Sequence, residues 1–254
     1  MTDPETLDEV AALCRQAERI LFVTGAGMSA DSGLPTYRGI GGLYHDRHTD
    51  EGVPIEVALS GTMLVSRPEL TWKYLAEIEA ACRGAQPNAG HMAIAELERR
   101  KPRVMVLTQN VDGLHRAAGS HNLVEIHGNL HHLLCTECDR GRPVEDYRGM
   151  QLPPACPTCG GLMRPNVVLF GEELPASALL RLEHALEAGF DLVCSVGTTS
   201  VFPYIAAPVY WARRVGVPTV EINPGESKVS GIVDFRIRAA AAQVLPALLV
   251  RCSG

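Results

Sequence analysis

Four cysteines occur in two pairs with the spacing of a metal site: Cys135 and Cys138, 17 intervening residues, then Cys156 and Cys159. Each C-x2-C pair can turn back on itself so that two thiolates reach one ion, and four sulfur ligands are typical of tetrahedral zinc. Because four protein ligands leave no position for water, the spacing predicts a structural zinc. Two disulfides or a redox dithiol are the alternatives. The other four cysteines occur singly, which disfavours disulfides, and neither pair lies on a thioredoxin-like βαβ pattern.

A glycine-rich stretch, VTGAGMSADSGLPTYRG, runs from Val23 to Gly39 and begins within the apolar run ILFVT. Gly25, Gly27 and Ala30 have the spacing of a strand-to-helix turn at which backbone N–H groups approach a pyrophosphate. Taken alone, this pattern would also fit a glycine-rich turn or an ordinary dehydrogenase. Beyond it, Ser-Gly and Pro residues interrupt any helix. They lead into Thr-Tyr-Arg-Gly, which offers an aromatic ring and a guanidinium next to the expected phosphates.

Polar side chains also follow two further apolar runs, VMVLT and LVEI, which we expect to be parallel strands. The first run ends in Gln109, Asn110 and Asp112, and the second ends in His127. Because ligands of open α/β sheets bind at the carboxyl ends of strands, these side chains are candidates for a nucleotide site. Two simpler roles stay open. Asn110 and Asp112 could cap a short helix, and a lone histidine at a strand end is often structural.

Three later segments carry weaker signals of the same kind. The strand-like run LVCSV leads to Gly197, Thr198 and Thr199, and the run PTVEI leads to Asn223. Small hydroxyl residues and asparagine after strands are also ordinary turn formers. The third segment, RPNVVLFGE, follows the second cysteine pair, and its composition alone would make it one more strand.

Together these stretches resemble the sirtuins, the NAD-dependent protein-lysine deacylases. The glycine-rich stretch meets each defined position of the signature GAG-x-S-x-x-S-G-[IL]-P-x-[FY]-R-G, with Tyr37 in a slot usually held by Phe. The Gln-Asn-x-Asp stretch, the later His-Gly pair, the loop at Gly197 with its following Asn, and the segment that ends at Glu172 also have counterparts in that family. The resemblance implies that NAD is a co-substrate and that the substrates are acylated lysine side chains of proteins.

The resemblance also assigns residues to roles. It places NAD against Gly25, Ala26, Gly27, Ser29, Ala30, Thr36, Tyr37, Arg38, Gln109, Asn110, Asp112, His127, Gly197, Thr198, Thr199 and Asn223. It makes His127 the general base and Asn110 a second catalytic residue. It places the substrate against Val167, Val168, Phe170, Gly171 and Glu172. Backbone groups of this last segment would then pair with an extended peptide, which adds as a strand.

The alternation of strand-like and helix-like segments predicts an α/β fold, a doubly wound parallel sheet of Rossmann type with a small inserted zinc-binding module. We assign residues 1–40, 101–129 and 165–254 to the NAD-binding domain. Residues 41–100 form an inserted loop and helical segment of the small domain, and 130–164 form its zinc-binding module. Prolines and glycines surround the cysteines, so we expect this module to have almost no apolar core of its own.

One helix of the small domain bears on acyl specificity. It is expected to begin near Ser66, with Glu69 as its capping-box partner, and to continue to Cys82. In sirtuins that remove succinyl or malonyl groups, this helix carries a Tyr-x-x-Arg pair, which suits a distal carboxylate. Here the two positions fall at Leu75 and Ile78. We therefore expect acetyl or longer apolar acyl groups to be preferred over succinyl.

Composition excludes several classes of protein. The chain of 254 residues has a net charge of −6, which disfavours a broad electrostatic grip on nucleic acid. Residues 136–158, around the cysteine pairs, include three arginines and four acidic residues, unlike a nucleic-acid-binding zinc ribbon. No apolar run approaches the ~20 residues of a membrane helix, and the first residues lack the basic head of a leader. We expect a cytoplasmic monomer with no nucleic-acid or membrane partner.

The resemblance thus implies an NAD-dependent deacylase that transfers an acyl group to ADP-ribose. Its products would be nicotinamide, deacylated lysine and O-acyl-ADP-ribose. Protein mono-ADP-ribosyl transfer at the same NAD site is the alternative, because the activated ribose could be captured by another nucleophile. A hydride-transferring dehydrogenase would share the glycine loop, but it would leave the cysteine cluster and the Gln-Asn-x-Asp stretch unexplained.

Overall fold

The computed structural model describes residues 3–36 and 49–252. In chain order, the elements of these two ranges are α1 (Pro4–Gln16), β1 (Arg19–Thr24), α2 (Ile55–Ala58), α3 (Gly61–Ser66), α4 (Pro68–Cys82), α5 (Ala89–Arg100), β2 (Arg103–Thr108), α6 (Leu114–Ala117), β3 (Leu123–Glu125), β4 (Gly128–Cys135), β5 (Gly141–Pro143), β6 (Met163–Val167), α7 (Ala176–Glu187), β7 (Leu192–Val196), α8 (Pro203–Val215), β8 (Thr219–Ile222), β9 (Phe235–Ile237) and α9 (Ala241–Cys252). None of the helices described is long and apolar enough to cross a membrane.

Six strands form a parallel sheet in the order β3-β2-β1-β7-β8-β9. The chain winds from β1 to β2 and β3 on one side, and then continues from β7 to β9 on the other side. This order is that of a doubly wound nucleotide-binding fold, so the predicted fold class is confirmed. Its winding reverses between β1 and β7. Ligands of such sheets bind at the carboxyl ends of the strands beside that point.

Both faces of the parallel sheet are covered by helices. On β1, the side chains of Ile20 and Phe22 pack into an apolar cluster with residues of α1, α5 and α9. Leu21 and Val23 point to the other face and pack with residues of α7 and α8. A strand that is buried on both faces has apolar residues at successive positions, which explains the uninterrupted apolar runs of the sequence.

A smaller antiparallel sheet, of order β5-β4-β6, carries the cysteine pairs. Its apolar side chains, among them Leu133 of β4 and Met163 of β6, join those of α4 in a third cluster. Trp72 of α4 is fully buried there, and its Nε1–H donates to the Met163 carbonyl oxygen at 3.0 Å. The expectation that the module has almost no apolar core is therefore wrong, because the helices of the inserted segment supply half of that core. The sheet also begins at residue 128 and ends at 167, beyond the predicted module at both ends.

The start of α4 differs from the predicted one. Ser66 ends the preceding helix, and its Oγ–H donates to the Thr62 carbonyl oxygen at 2.9 Å. Arg67 occupies the N-cap position without a side-chain capping bond, and Pro68 is the first helical residue. Proline favours that position because its missing N–H would have no partner there anyway. The predicted capping box between Ser66 and Glu69 is therefore wrong, whereas the end of α4 at residue 82 is as expected.

Candidate active site

A cavity of about 450 Å³ lies at the carboxyl ends of the parallel strands. One side is polar and is built from residues that follow β1, β2, β3, β7 and β8. The other side is apolar and comes from the small domain and from the segment that follows its last strand. Its apolar lining residues are Leu59, Leu75, Ile78, Val111, Leu130, Val167, Val168, Leu169, Phe170 and Leu174, with Phe202 from the loop before α8. The cavity therefore joins the two parts of the molecule at the edge where the sheet topology places ligands.

Most residues that the sequence singled out meet in this cavity. They are Gly25, Ala26, Gly27, Thr36, Gln109, Asn110, His127, Val167, Val168, Phe170, Gly171, Glu172, Gly197, Thr198, Thr199 and Asn223. Ser29 and Asp112 lie beside it instead, around a cleft of only about 10 Å³ that shares Ala26 and Asn110 with the main cavity. Ala30 is exposed and lines neither space. Tyr37 and Arg38 lie outside the described residues, so their predicted contacts with NAD remain predictions.

The glycines after β1 allow two loops to touch. Gly27 N–H donates to the Gly197 carbonyl oxygen at 2.8 Å, and Gly25 N–H donates to that of Val196 at 3.2 Å. A Cβ atom on Gly27 would lie 2.8 Å from the Cα of Gly197, a distance that real Cβ atoms do not reach. Both N–H groups therefore bind carbonyl groups of the protein, and the approach of other backbone N–H groups of this turn to a pyrophosphate stays a prediction. A 3₁₀ turn over Ala26–Met28 replaces the expected helix start.

His127 is held at both ring nitrogens. Its Nδ1 lies 3.1 Å from the carbonyl oxygen of Gln109. A carbonyl can only accept, so we assign the proton of the neutral ring to Nδ1, which leaves Nε2 as the basic nitrogen. Burial lowers the pKa of His127 below its ordinary value, since the charged ring would lose solvation. The side chain is therefore a neutral base at neutral pH.

Tyr204, which the sequence reasoning missed, forms a hydrogen bond with the basic nitrogen of His127. Its hydroxyl lies 2.7 Å from His127 Nε2. The Tyr204 ring stacks on Phe202 with 5.4 Å between centroids, and the His127 ring stands edge-on to both at 5.8 Å. The available signal was the pair of aromatic residues on either side of Pro203, at the start of α8 and just after a strand end.

A buried polar network separates the main cavity from the small cleft. Asn110 Nδ2–H donates to Ser29 Oγ at 3.1 Å and to the Gly25 carbonyl oxygen at 3.0 Å. Ser29 Oγ–H in turn donates to Asp112 Oδ2 at 2.7 Å. The other Asp112 oxygen accepts from Leu114 N–H at 2.9 Å, so the helix-capping role holds in part for Asp112. Burial raises the pKa of Asp112. Asn110 is thereby fixed in one orientation at the cavity wall.

Thr198 organises the far end of the polar side. Its hydroxyl oxygen accepts from Gln109 Nε2–H at 2.8 Å and from Ser200 N–H at 3.1 Å. Its carbonyl oxygen accepts from Asn223 Nδ2–H at 2.9 Å. Side chains that follow β2 and β8 are thus tied to one residue of the loop after β7. This end of the cavity is preformed without a ligand.

The predicted peptide-binding segment is already paired within the protein. Val168 N–H donates to the carbonyl oxygen of His127 at 2.9 Å, and Phe170 N–H donates to that of Leu59 at 3.0 Å. These two N–H groups are therefore not free to pair with an added strand, and pairing of a peptide with other backbone groups of the segment stays a prediction. The pairing instead holds their side chains in the apolar wall of the cavity.

The carboxylate of Glu172 holds this segment in place through hydrogen bonds. Arg164 Nη2–H and Leu169 N–H each donate to Glu172 Oε2 at 2.8 Å. A Cβ atom on Gly61 would lie 2.8 Å from the Glu172 side chain, so α3 begins in close contact with it. Glu172 lines the cavity, but its charge is neutralised by Arg164 and holds the turn in place.

The four cysteines come together as the spacing predicted. Their sulfur atoms all lie within 4.8 Å of one another. Measured Sγ···Sγ distances are 3.5 Å for Cys135 and Cys159, 3.8 Å for Cys138 and Cys156, and 3.5 Å for Cys138 and Cys159. Zinc with four ligands at about 2.3 Å requires sulfur atoms about 3.8 Å apart, so the cluster fits this ion. None of the four lines the main cavity, which agrees with a structural site.

The molecule has the features of a nucleotide-binding enzyme whose small domain carries a zinc site. These features are the doubly wound sheet, the histidine at its edge and the four-cysteine module. Residues 25–203 match the model of the Sir2 family. The chain is 54% identical to "NAD-dependent protein deacylase 2" of Pseudomonas aeruginosa over 93% of each chain. It therefore belongs to the Sir2 family.

Solved structures agree with this membership. A Sir2 homologue in complex with NAD is 34% identical, with a TM-score of 0.87 over 97% of this chain and 93% of that one. A Sir2 structure with a deacetylated peptide and 3′-O-acetyl-ADP-ribose is 29% identical, with a TM-score of 0.84 over 96% and 97% of the two chains. The described fold is thus that of these enzymes.

Proposed function

We propose that this chain is an NAD-dependent protein-lysine deacylase. It removes acyl groups from lysine side chains of proteins and yields nicotinamide, deacylated lysine and O-acyl-ADP-ribose. The relative from Pseudomonas aeruginosa carries the name of such an enzyme. Mono-ADP-ribosyl transfer, the alternative that the sequence left open, finds no support in the names of these relatives.

One observation carries the proposal. A neutral histidine, whose basic nitrogen is hydrogen-bonded to the Tyr204 hydroxyl, lines a cavity that is polar on the sheet side and apolar on the opposite side. A nucleotide suits the polar side, and the stem of an acylated lysine suits the apolar side. His127 lies where the two would meet. Such an arrangement serves a reaction between a nucleotide and an uncharged acyl-lysine.

The polar side supplies positions for the two ends of NAD, which when bound contributes the ADP-ribose group that accepts the acyl group. Thr198 and Asn223 would hold the adenosine end, where their mutual hydrogen bonds preform the wall. Asn110 would contact the nicotinamide end. Ser29 and Asp112 support Asn110 from behind, and we propose that the nicotinamide ring binds in the main cavity against the wall that Asn110 forms.

His127 acts after nicotinamide has left. When NAD and the acyl-lysine are bound, Nε2 would accept a proton from a ribose hydroxyl and so make that oxygen nucleophilic towards the carbonyl carbon of the acyl group. Since burial keeps the pKa of His127 low, the ring is already unprotonated when the substrates arrive. A positioned general base contributes ~10²–10⁴-fold to the rate. The Gln109 carbonyl stabilises the ring when both nitrogens carry protons.

Zinc, when bound to Cys135, Cys138, Cys156 and Cys159, would hold the turns at the tip of the small sheet. The core behind those turns includes Leu130, whose side chain lines the cavity. The ion therefore supports the acyl-peptide side of the site from a distance.

We further place the enzyme in the cytoplasm and expect it to act as a monomer. All eight cysteines are free of disulfides, as in proteins of reducing compartments. Light scattering of the purified protein tests the expected monomer.

The test of the proposal is the fate of an acetyl-lysine peptide with NAD. The wild-type chain should release nicotinamide and form O-acetyl-ADP-ribose. His127→Ala should lower this turnover by ~10²–10⁴-fold, because it removes proton transfer and little packing. NAD affinity and melting temperature should stay close to wild type. His184→Ala, an exposed histidine of α7, is the matched control. Full activity of His127→Ala, or an equal loss of NAD binding and melting temperature, would contradict the assignment.

A further inference from the structure

We propose that Tyr204 is a further catalytic residue, which relays a proton from the ribose hydroxyl of the bound substrate to His127. The inference rests on the proposed function, because it concerns the proton-transfer step of that reaction. It adds a residue that the sequence resemblance did not assign.

The first argument is that the basic nitrogen of His127 already has a hydrogen-bond partner. Nδ1 of His127 is bound to the Gln109 carbonyl, so Nε2 is the nitrogen that can accept a proton. The Tyr204 hydroxyl already lies 2.7 Å from that nitrogen. A substrate hydroxyl must therefore reach the base either by displacing the phenol or through it.

The second argument is that the phenol is held in place. Tyr204 lies in the first turn of α8 and lines the cavity. Its ring stacks on Phe202, and the His127 ring packs edge-on against both. Displacement would break the hydrogen bond to His127 and disturb these aromatic contacts. A path through the phenol keeps all of them.

The relay balances as a double proton transfer. The phenol donates its proton to His127 Nε2 and, in the same step, receives the proton of the substrate hydroxyl on its oxygen. One phenol O–H bond and the substrate O–H bond break, while a new phenol O–H bond and an Nε2–H bond form. The phenol ends neutral, the imidazole ends as a cation, and the substrate oxygen becomes the nucleophile. A phenol can act in this way because its hydroxyl is both donor and acceptor.

The test replaces Tyr204 by phenylalanine, which keeps the ring and removes the hydroxyl. Turnover of an acetyl-lysine peptide by Tyr204→Phe should fall on the order of 10–100-fold, as expected for an impaired but not deleted base. The KM for NAD should stay within about twofold because the ring contacts remain. Exchange of labelled nicotinamide into NAD should persist, since nicotinamide leaves before the proton is transferred. Tyr210→Phe, an exposed tyrosine on the same helix, is the matched control.

A second measurement uses the ligand-free enzyme. In ¹⁵N spectra of the histidine side chains, wild-type His127 should be the Nδ1–H tautomer, with an Nε2 resonance displaced by the phenol hydrogen bond. Tyr204→Phe should move that resonance, and Tyr210→Phe should leave it in place. An unmoved resonance in Tyr204→Phe would show that the hydrogen bond is absent, and the relay would then be wrong.

The kinetic outcomes separate the two proposals. Unchanged deacylation by Tyr204→Phe would mean that the phenol is merely displaced, which overturns the relay. An equal loss of exchange and deacylation would mean that the residue shapes the site, which also overturns it. If instead His127→Ala retains deacylation, the proposed role of the base fails, whatever Tyr204→Phe does.

Discussion

The lining of the cavity allows a quantitative prediction of which acyl groups the enzyme prefers. The helix α4 presents Leu75 and Ile78 to its apolar side, as the sequence predicted, and Leu75 is only 3% exposed. No lysine or arginine is among the lining residues in the two described ranges. A succinyl-lysine would therefore bring a carboxylate against a wall whose described residues include no cation, whereas an acetyl group would meet methyl and methylene groups.

The free-energy penalty for binding the succinyl group follows from the cost of removing its carboxylate from water. Burying an unpaired carboxylate costs several kcal/mol even after the protein relaxes. Since each ~1.4 kcal/mol is tenfold in a rate or binding ratio, a cost of ~3 kcal/mol corresponds to more than 100-fold. We expect kcat/KM for an acetyl-lysine peptide to exceed that for the matched succinyl-lysine peptide by at least this factor.

The perturbation is Ile78→Arg, which adds a cation to the apolar wall. A charge-assisted hydrogen bond to the succinyl carboxylate is worth ~1.5–3 kcal/mol, so the preference for acetyl should narrow by about 10–100-fold. The assay is the ratio of kcat/KM values for the two peptides, followed through nicotinamide release. Val65→Arg on the neighbouring helix α3 is the matched control, because Val65 is 85% exposed and outside the cavity.

Two results would refute this reasoning. Comparable turnover of both peptides by the wild-type chain would show that the acyl group does not lie against Leu75 and Ile78, or that it meets a cation there. An Ile78→Arg variant that loses acetyl activity without gaining succinyl activity would place the side chain at the nucleotide instead of the acyl group. The first outcome is read from the ratio of the two kcat/KM values, and the second from the two values taken separately.

The remaining predictions concern zinc and pH. Removal of zinc by a chelator, or Cys156→Ser, should abolish deacylation and change the emission of the buried Trp72, because roughly 10–16 kcal/mol of zinc binding is folding energy. A Trp211→Phe background isolates this signal, and unaltered emission and activity in protein shown to be free of metal would contradict the structural role. Burial lowers the pKa of His91 to about 4. Its unfolded value is ~6.5, so the unfolded chain binds a proton that the folded chain does not, and the free energy of unfolding should fall by up to ~1.4 kcal/mol per unit as pH drops from about 6.5 towards 4. His91→Gln keeps an acceptor for the capping box of α5. In urea titrations between pH 7.5 and 5, it should reduce the slope of the unfolding free energy against pH by up to ~1.4 kcal/mol per unit, the contribution of one proton. An unchanged slope would refute the role of His91.

Local patterns determined the fold class and the location of the site. Strands buried on both faces must be apolar throughout, so Ile20 to Thr24 could be recognised without any knowledge of their neighbours. Parallel strands also share one carboxyl edge, which brings the residue that follows each strand to the same place. The cysteine spacing required only that two short turns face each other. These features depend on residues that are close in the chain.

Tertiary structure decided which partner each polar group and each apolar face would find. Tyr204 is 77 residues from His127, and Trp72 is 91 residues from the Met163 carbonyl. The glycine spacing predicted a turn beside a nucleotide, but only the structure shows that Gly27 N–H donates to the Gly197 carbonyl of the neighbouring loop. Buried backbone groups must be paired, but the sequence does not state with what, because the choice depends on which loops the packed core brings together. The chemistry at the basic nitrogen of His127 belongs to that second kind of information.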